Sequence, residues 1–297
     1  MNRKVSILVV LLVGMVLAAG CITGDDGEKR VVIGSKLFNE QYIVAHMAAL
    51  LLEEQGYDVE VKEGLGGTSV NYEALKKGQI DCYLEYTGTA YNVIFKAEAP
   101  EVWDVDDIYA YVENAFTVED DITIAADIGF RDDYAIAVHL DWAQQMGVTR
   151  ISELSAYIDG MEIGTDPEFA SRADGLPQML KVYGFTFGKV NQMQPTLMYE
   201  AMKNDQVDAI SAYTTDARVD MYGLLLLEDD LMAFPPYNAI LIVNDEIAQD
   251  ADAMAALAQL AGLVDTDTMR ALNYEYDVEK REAEDIARDF LVSVGLL

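Results

Sequence analysis

Tyrosine is the main chemical resource of this chain: 17 are present, against two tryptophans. A tyrosine offers a flat electron-rich face and a hydroxyl. Several such faces around a quaternary ammonium make a cage, because a methylated nitrogen has no N–H to donate and must be held by π faces. Each desolvated contact contributes about 2 kcal/mol or more. Two tyrosines, Tyr86 and Tyr213, are each followed by threonine at matching places in an internal repeat. Composition alone leaves ordinary packing open as the role of the others.

The catalytic inventory is poor. His46 and His139 are the only histidines, one in a helical pattern and one in an apolar run, and both read as structural. Two histidines and one cysteine beyond Cys21 do not make a metal ligand set. No P-loop, nucleophile elbow or Rossmann glycine pattern occurs. Gly64–Gly67 lacks the spacing of a phosphate loop and reads as a turn. Acid pairs such as Asp132-Asp133 are commonplace among 52 acidic residues. The chain reads as a binder rather than an enzyme, with no cofactor and no metal.

The elements that must position these residues alternate. Val31–Gly34 reads as a buried strand, with Asn39 as the cap of a helix carrying Ile43, Met47, Leu50 and Leu51 and closed by Gly56. Val59–Lys62 is the next strand, Ser69–Lys77 a helix and Ile80–Leu84 a strand. This is the order of an α/β fold with parallel strands. The second half repeats the first. Residues 69–87 (SVNYEALKKGQIDCYLEYT) and 196–214 (TLMYEAMKNDQVDAISAYT) align without a gap at an offset of 127, with eight of nineteen positions identical. Ile33-Gly34-Ser35 is echoed by Ile163-Gly164-Thr165. The period is too long for a solenoid and implies two lobes on one plan. Ligands of open α/β sheets bind beyond the carboxyl ends of strands, so Tyr86 and Tyr213 would face a shared cleft. Ala239–Val243 reads as a buried strand, and residues 245–261 and 279–293 as helices completing the first lobe. Segments near 130–134 and 234–238 are the hinge candidates.

The formal charge is −32 and hydrophobic residues make up 52%. Such acidity excludes nucleic acid, whose phosphates would be repelled. It reads as a solubilising surface or as attraction for a cationic ligand, with screening over about 8–10 Å limiting the latter. At the N-terminus, Arg3 and Lys4 precede an apolar stretch, Val5–Ala18, and then Ala18-Ala19-Gly20-Cys21. Small residues before a cysteine resemble a lipobox, where cleavage leaves Cys21 as a lipidated N-terminus. The alternative is an uncleaved anchor helix. Both place the folded part outside the membrane. Residues 22–30 suit a flexible tether, and Cys82 reads as a buried free thiol.

The motifs IGSKLFNEQYI (33–43), GLGGTSVNYEALKKGQIDCYLEYTGTAY (64–91), GFRDDYAIAV (129–138), DPEFASRADGLPQ (166–178), PTLMYEAMKNDQVDAISAYTTD (195–216) and FPPYNAI (234–240) resemble the glycine betaine/choline/proline-betaine binding proteins of ABC transporters. The resemblance runs from about residue 30 to the C-terminus. It implies a two-lobed, type II periplasmic-binding-protein-like α/β fold. Residues 1–20 would be a leader, 21–30 a tether, 31–131 plus 237–297 lobe I, and 132–236 lobe II. It implies a box of four tyrosines, Tyr86, Tyr134, Tyr213 and Tyr237, completed on the cation side by Asp132. Lys36, Thr89 and Arg172 would hold the anionic end. Lys36 and Arg172 together point to a zwitterion with a carboxylate. The expected partners are a small quaternary-ammonium zwitterion, an ABC transporter permease and the membrane through a lipid at Cys21, for a monomer. A receptor for choline or another small cationic or amino-acid solute, feeding transport or sensing, is the alternative.

Overall fold

The computed structural model describes residues 29–100 and 102–297, so the leader, most of the tether and Cys21 lie outside the described residues. The strands, in chain order, are β1 (Arg30–Gly34), β2 (Asp58–Lys62), β3 (Cys82–Tyr86), β4 (Thr123–Arg131), β5 (Tyr134–His139), β6 (Glu162–Thr165), β7 (Lys189–Gln192), β8 (Ala209–Tyr213), β9 (Leu224–Leu227) and β10 (Asn238–Val243). They form two five-stranded sheets, in the orders β2-β1-β3-β10-β4 and β7-β6-β8-β5-β9. Each sheet has three parallel strands, then an antiparallel one: β10 runs against β3 and β4, and β5 against β8 and β9. In both sheets that antiparallel strand has just arrived from the other sheet. The chain crosses once between Arg131 and Tyr134 and returns between Leu227 and Asn238.

Strand β10 reads AILIV without alternation because both faces of its sheet are covered, and all five residues are buried. On one face lies the helix Asn39–Glu53, with Ile43, Met47 and Leu51 buried. The helices Thr266–Asp277 and Ala283–Ser293 pack against it. The other face is covered by the helix Val105–Asp120, whose Val112 and Phe116 meet Tyr83, Ile240 and Ile242. Asp104 caps that helix, accepting from the amides of Asp106 and Asp107 at 3.0 Å each.

Some boundaries differ from the sequence reading. The strand expected at Ile80–Leu84 is Cys82–Tyr86. Asp81 instead makes the entry to the ladder: its amide donates to Val32 O at 2.6 Å and its carboxylate accepts from Val32 N at 2.7 Å. The helix expected over 245–261 is broken, because Asp250 caps a new start at Ala251. The helix Thr266–Asp277, capped by Asp265, was not foreseen.

Part of the repeat is explained here. Asp208 stands to β6 as Asp81 does to β1: its amide donates to Glu162 O at 2.8 Å and its carboxylate accepts from Glu162 N at 2.8 Å. The recurrent aspartate therefore staples each repeated strand to its parallel neighbour. Asp81 also accepts from Asn244 Nδ2 at 2.9 Å, which ties in the end of β10. Asp81→Ala is expected to cost about 1–3 kcal/mol, and Asp208→Ala, at a more exposed staple, about 1 kcal/mol or less. Urea unfolding of both variants checks the order; equal losses would remove the Asn244 contribution.

Candidate ligand-binding cleft

The threonine after each repeated tyrosine binds a crossing segment. Thr87 Oγ1 donates to Pro236 O at 3.0 Å and accepts from Asn238 N at 3.0 Å. Thr214 Oγ1 donates to Arg131 O at 2.8 Å and accepts from Asp133 N at 2.9 Å. The two crossings also bind each other: Asp132 N donates to Tyr237 O at 3.1 Å, and Tyr237 N to Asp133 Oδ1 at 2.8 Å. This places Tyr86 and Tyr213 at facing strand ends, with Tyr134 and Tyr237 just beyond the crossings. Gly88 completes the fit. A Cβ there would come within 2.8 Å of Pro236 O and of the Tyr237 ring, so only glycine lets that ring sit where it does.

All eight residues singled out in the folded part line one cavity of about 640 Å³: Lys36, Tyr86, Thr89, Asp132, Tyr134, Arg172, Tyr213 and Tyr237. Tyr134 is the centre of the aromatic wall. Its ring lies 5.4 Å from Tyr213 and 5.4 Å from Tyr237, the latter edge-on at 84°. Phe169 and Phe234 back it at 5.0 and 5.9 Å. Tyr86 stands apart from that group and stacks on Phe38 at 6.3 Å. Phe38 takes the N-cap position expected of Asn39, and it lines the cavity. Burial raises the pKa values of all four phenols, which keeps them neutral.

The basic residues arrive with carboxylates of their own, which the sequence reading did not identify. Lys36 Nζ is ion-paired with the fully buried Glu85 and lies 4.9 Å from the centre of the Tyr86 ring. Burial pulls its ammonium pKa down, against the opposing pull of Glu85. Arg172 makes a fork with Asp174, Nε to Oδ1 at 2.9 Å and Nη2 to Oδ2 at 2.7 Å, and its Cζ lies 5.9 Å from the Tyr134 ring centre. Asp174 also accepts from the Tyr237 hydroxyl at 2.8 Å. Burial pushes Asp174 up, but Arg172 and Tyr237 outweigh it and hold its carboxyl below the usual range.

Two further carboxylates have no such partner. Asp132 lines the cavity and accepts from Thr215 Oγ1 at 2.8 Å, and it makes no ion pair among the described residues. Glu40, buried beneath Tyr86, accepts from the Tyr86 hydroxyl and from Asn273 Nδ2 at 3.1 Å. Burial pushes Asp132 well above the ordinary carboxylate value, with the charge of Glu40 adding to it, and pushes Glu40 up against the pull of its donors. The cleft and the shell behind it thus join neutral aromatic faces, two internally compensated cations and two carboxyl groups without ion-pair partners among the described residues. That combination suits a ligand with a desolvated positive end.

Comparison with known proteins agrees in scale. The family described as "OpuAC: Substrate binding domain of ABC-type glycine betaine transport system" matches residues 29–293. The chain is 33% identical, over its whole length and 96% of the relative, to a glycine-betaine-binding protein of Pseudomonas aeruginosa. It is 30% identical, over 95% of this chain and 94% of the relative, to the carnitine transport binding protein OpuCC of Listeria monocytogenes. It is also 30% identical, over 91% of this chain, to the ergothioneine transport permease/ergothioneine binding protein EgtU of Helicobacter pylori, but spans only 48% of that protein's length. A crystal structure of a glycine betaine/carnitine/choline ABC transporter protein superposes with a TM-score of 0.81 at 29% identity, over 89% of this chain and 98% of that one. Apo YehZ from Escherichia coli gives 0.75 at 28%, over 90% and 99%. The fold is that of the two-lobed type II periplasmic binding proteins, and these relatives are components of transporters, not enzymes. The chain belongs to the family of substrate-binding domains of ABC-type glycine betaine transport systems.

Proposed function

We propose that this protein captures a quaternary-ammonium zwitterion, such as glycine betaine or proline betaine, and delivers it to an ABC permease for osmoprotection. The observation that carries the reading is the convergence of Tyr86, Tyr134, Tyr213 and Tyr237 on one cavity with Asp132, a half-buried carboxylate that makes no ion pair among the described residues. The methylated ammonium sits among the tyrosine faces. Its carboxylate lies toward Arg172, Lys36 and Thr89. Residues 31–131 plus 237–297 act as one lobe and 132–236 as the other, and ligand contact with both favours the closed arrangement. Lipidation at Cys21 keeps the monomeric receptor at the outer face of the membrane. A ligand panel by thermal shift tests the class. Glycine betaine, proline betaine, carnitine and ergothioneine share the methylated ammonium and carboxylate, whereas choline lacks the carboxylate and free amino acids lack the methyls. Stabilisation by amino acids alone would overturn the assignment.

Tyr213→Ala is expected to weaken glycine betaine binding tenfold or more, from about 1–2 kcal/mol per cage face. Unchanged affinity by calorimetry would count against the cage. Arg172→Ala is expected to weaken glycine betaine more than choline, because it removes the carboxylate's partner and frees the negative charge of Asp174. Equal losses for both ligands would remove that role.

Asp132 makes stability and binding oppose each other. Its folded pKa is raised, so ionising it in place costs stability. That cost is absent below the unfolded carboxylate value, grows as pH rises toward the folded value and is constant above it. Asp132→Asn is therefore expected to raise the thermal midpoint of the unliganded protein at pH 7, with the gain vanishing near pH 4, and to weaken betaine binding severalfold at pH 7. Wild-type affinity for betaine falls on acidification for the same reason, since protons compete with the cation for the carboxylate. A variant that bound as well as wild type at pH 7 would show that this charge is not used.

A further inference from the structure

We infer that Glu40, which does not line the cleft, is a positioning residue that sets the cation affinity of the cage by acting through Tyr86 and that links this wall to the other lobe. The inference rests on the betaine reading above. Glu40 stands in the first turn of the helix Asn39–Glu53 and is 1% exposed. Each of its carboxylate oxygens has its own donor: Oε1 takes the Tyr86 hydroxyl and Oε2 takes Asn273 Nδ2. Among the described residues Glu40 makes no ion pair. The Tyr86 oxygen also accepts from Gln41 Nε2 at 3.2 Å. The oxygen therefore cannot swing away without breaking two buried hydrogen bonds, which anchors the ring at the wall of the cavity.

The same contact has an electronic consequence. A phenol that donates to a carboxylate carries more electron density, and a cation over its face is attracted more strongly. The carboxylate charge adds directly in a site sheltered from solvent. The connection continues past Glu40. Asn273 Nδ2 also donates to Thr215 O at 3.0 Å, and Thr215 Oγ1 holds Asp132 Oδ1 at 2.8 Å. One chain of buried groups thus runs from the first lobe's tyrosine through Glu40, Asn273 and Thr215 to the carboxylate at the crossing. Asn273 comes from a helix 233 residues away from Glu40 in the sequence.

The experiment is a double-mutant cycle with glycine betaine as the probe, read by calorimetry on the full-length protein. Glu40→Gln keeps size and acceptor but removes the charge, and Tyr86→Phe keeps the ring but removes the bond. Glu40→Gln is expected to weaken binding about tenfold, Tyr86→Phe severalfold, and the double variant no more than the worse single one. Multiplying effects, or wild-type affinity in Glu40→Gln, would overturn the inference while leaving the cage reading intact, provided Tyr213→Ala still loses affinity. A wild-type protein that binds none of the quaternary amines overturns both. If Glu40→Gln does not fold, Asn273→Leu takes its place. It releases Glu40 from the far side, so a weakening confined to backgrounds that retain the Tyr86 hydroxyl supports the inference, and one that persists in Tyr86→Phe overturns it.

Discussion

The cleft takes its shape from two threonine hydroxyls that tie matching strand ends to the backbone crossing between the sheets. Thr87 holds the returning crossing and Thr214 the outgoing one. Each shares its backbone with the tyrosine beside it, so the hydrogen bonds that fix where the lobes meet also fix where Tyr86 and Tyr213 start. Tyr134 and Tyr237 begin immediately after the crossings and inherit the same constraint. Four side chains spread over 152 positions, from 86 to 237, are thus set by one short stretch of buried backbone pairing. A ligand that touches these rings is sensitive to the relative placement of the lobes without touching the crossings themselves.

Charge within the cleft follows a different logic from charge on the chain. The formal −32 is spread mostly over exposed carboxylates, where water and salt screen it within about a nanometre. Inside, Lys36 is compensated by Glu85 and Arg172 by Asp174, so the two cations add little net charge. What remains is the half-buried Asp132 and the buried Glu40, both without ion-pair partners among the described residues. Keeping them ionised costs folding free energy, which a well-packed apolar pair would avoid. Such a cost makes physical sense where a cation arrives later to offset it. In the proposed reading the net acidity of the sequence is a poor guide to the site, and two carboxylates out of 52 acidic residues carry the relevant field.

Much of this was legible in the sequence because it is periodic or local. The strand–helix alternation and the 127-residue offset pointed to two lobes of one plan, and the Tyr-Thr pairs marked the strand ends that face each other. The eight residues that the motif resemblance singled out in the folded part line one cavity. What escaped has a common cause. Glu85 and Asp174 sit beside recognised residues, but their roles depend on which way a side chain turns. Glu40 acts with Asn273 across 233 positions, and no spacing rule reaches that far. The helix that carries Asn273 is polar on average and was not marked by an apolar run. Asn39 read as the helix cap because its side chain suits that position, whereas Phe38 stands there and stacks on Tyr86.

The repeat also shows how a duplicated frame yields an unsymmetrical site. The staples Asp81 and Asp208 and the ties Thr87 and Thr214 do the same work in each lobe. The positions before the ligand-facing helices do not. Where the first lobe has Ser35-Lys36, the second has Thr165-Asp166, and Asp166 is occupied in capping its own helix by accepting from Phe169 N at 2.9 Å. Tyr86 is braced by Glu40, while the hydroxyl of its counterpart Tyr213 has no hydrogen-bond partner among the described residues. The shared elements set the walls and the distance between them. The divergent ones distribute charge: Lys36 and Arg172 each face a carboxylate of their own, and Asp132 stands at the crossing. A symmetric cage would hold a methylated cation in many orientations. In the proposed reading a polarised one gives a zwitterion a single preferred direction, and that direction depends on the residues in which the two copies differ.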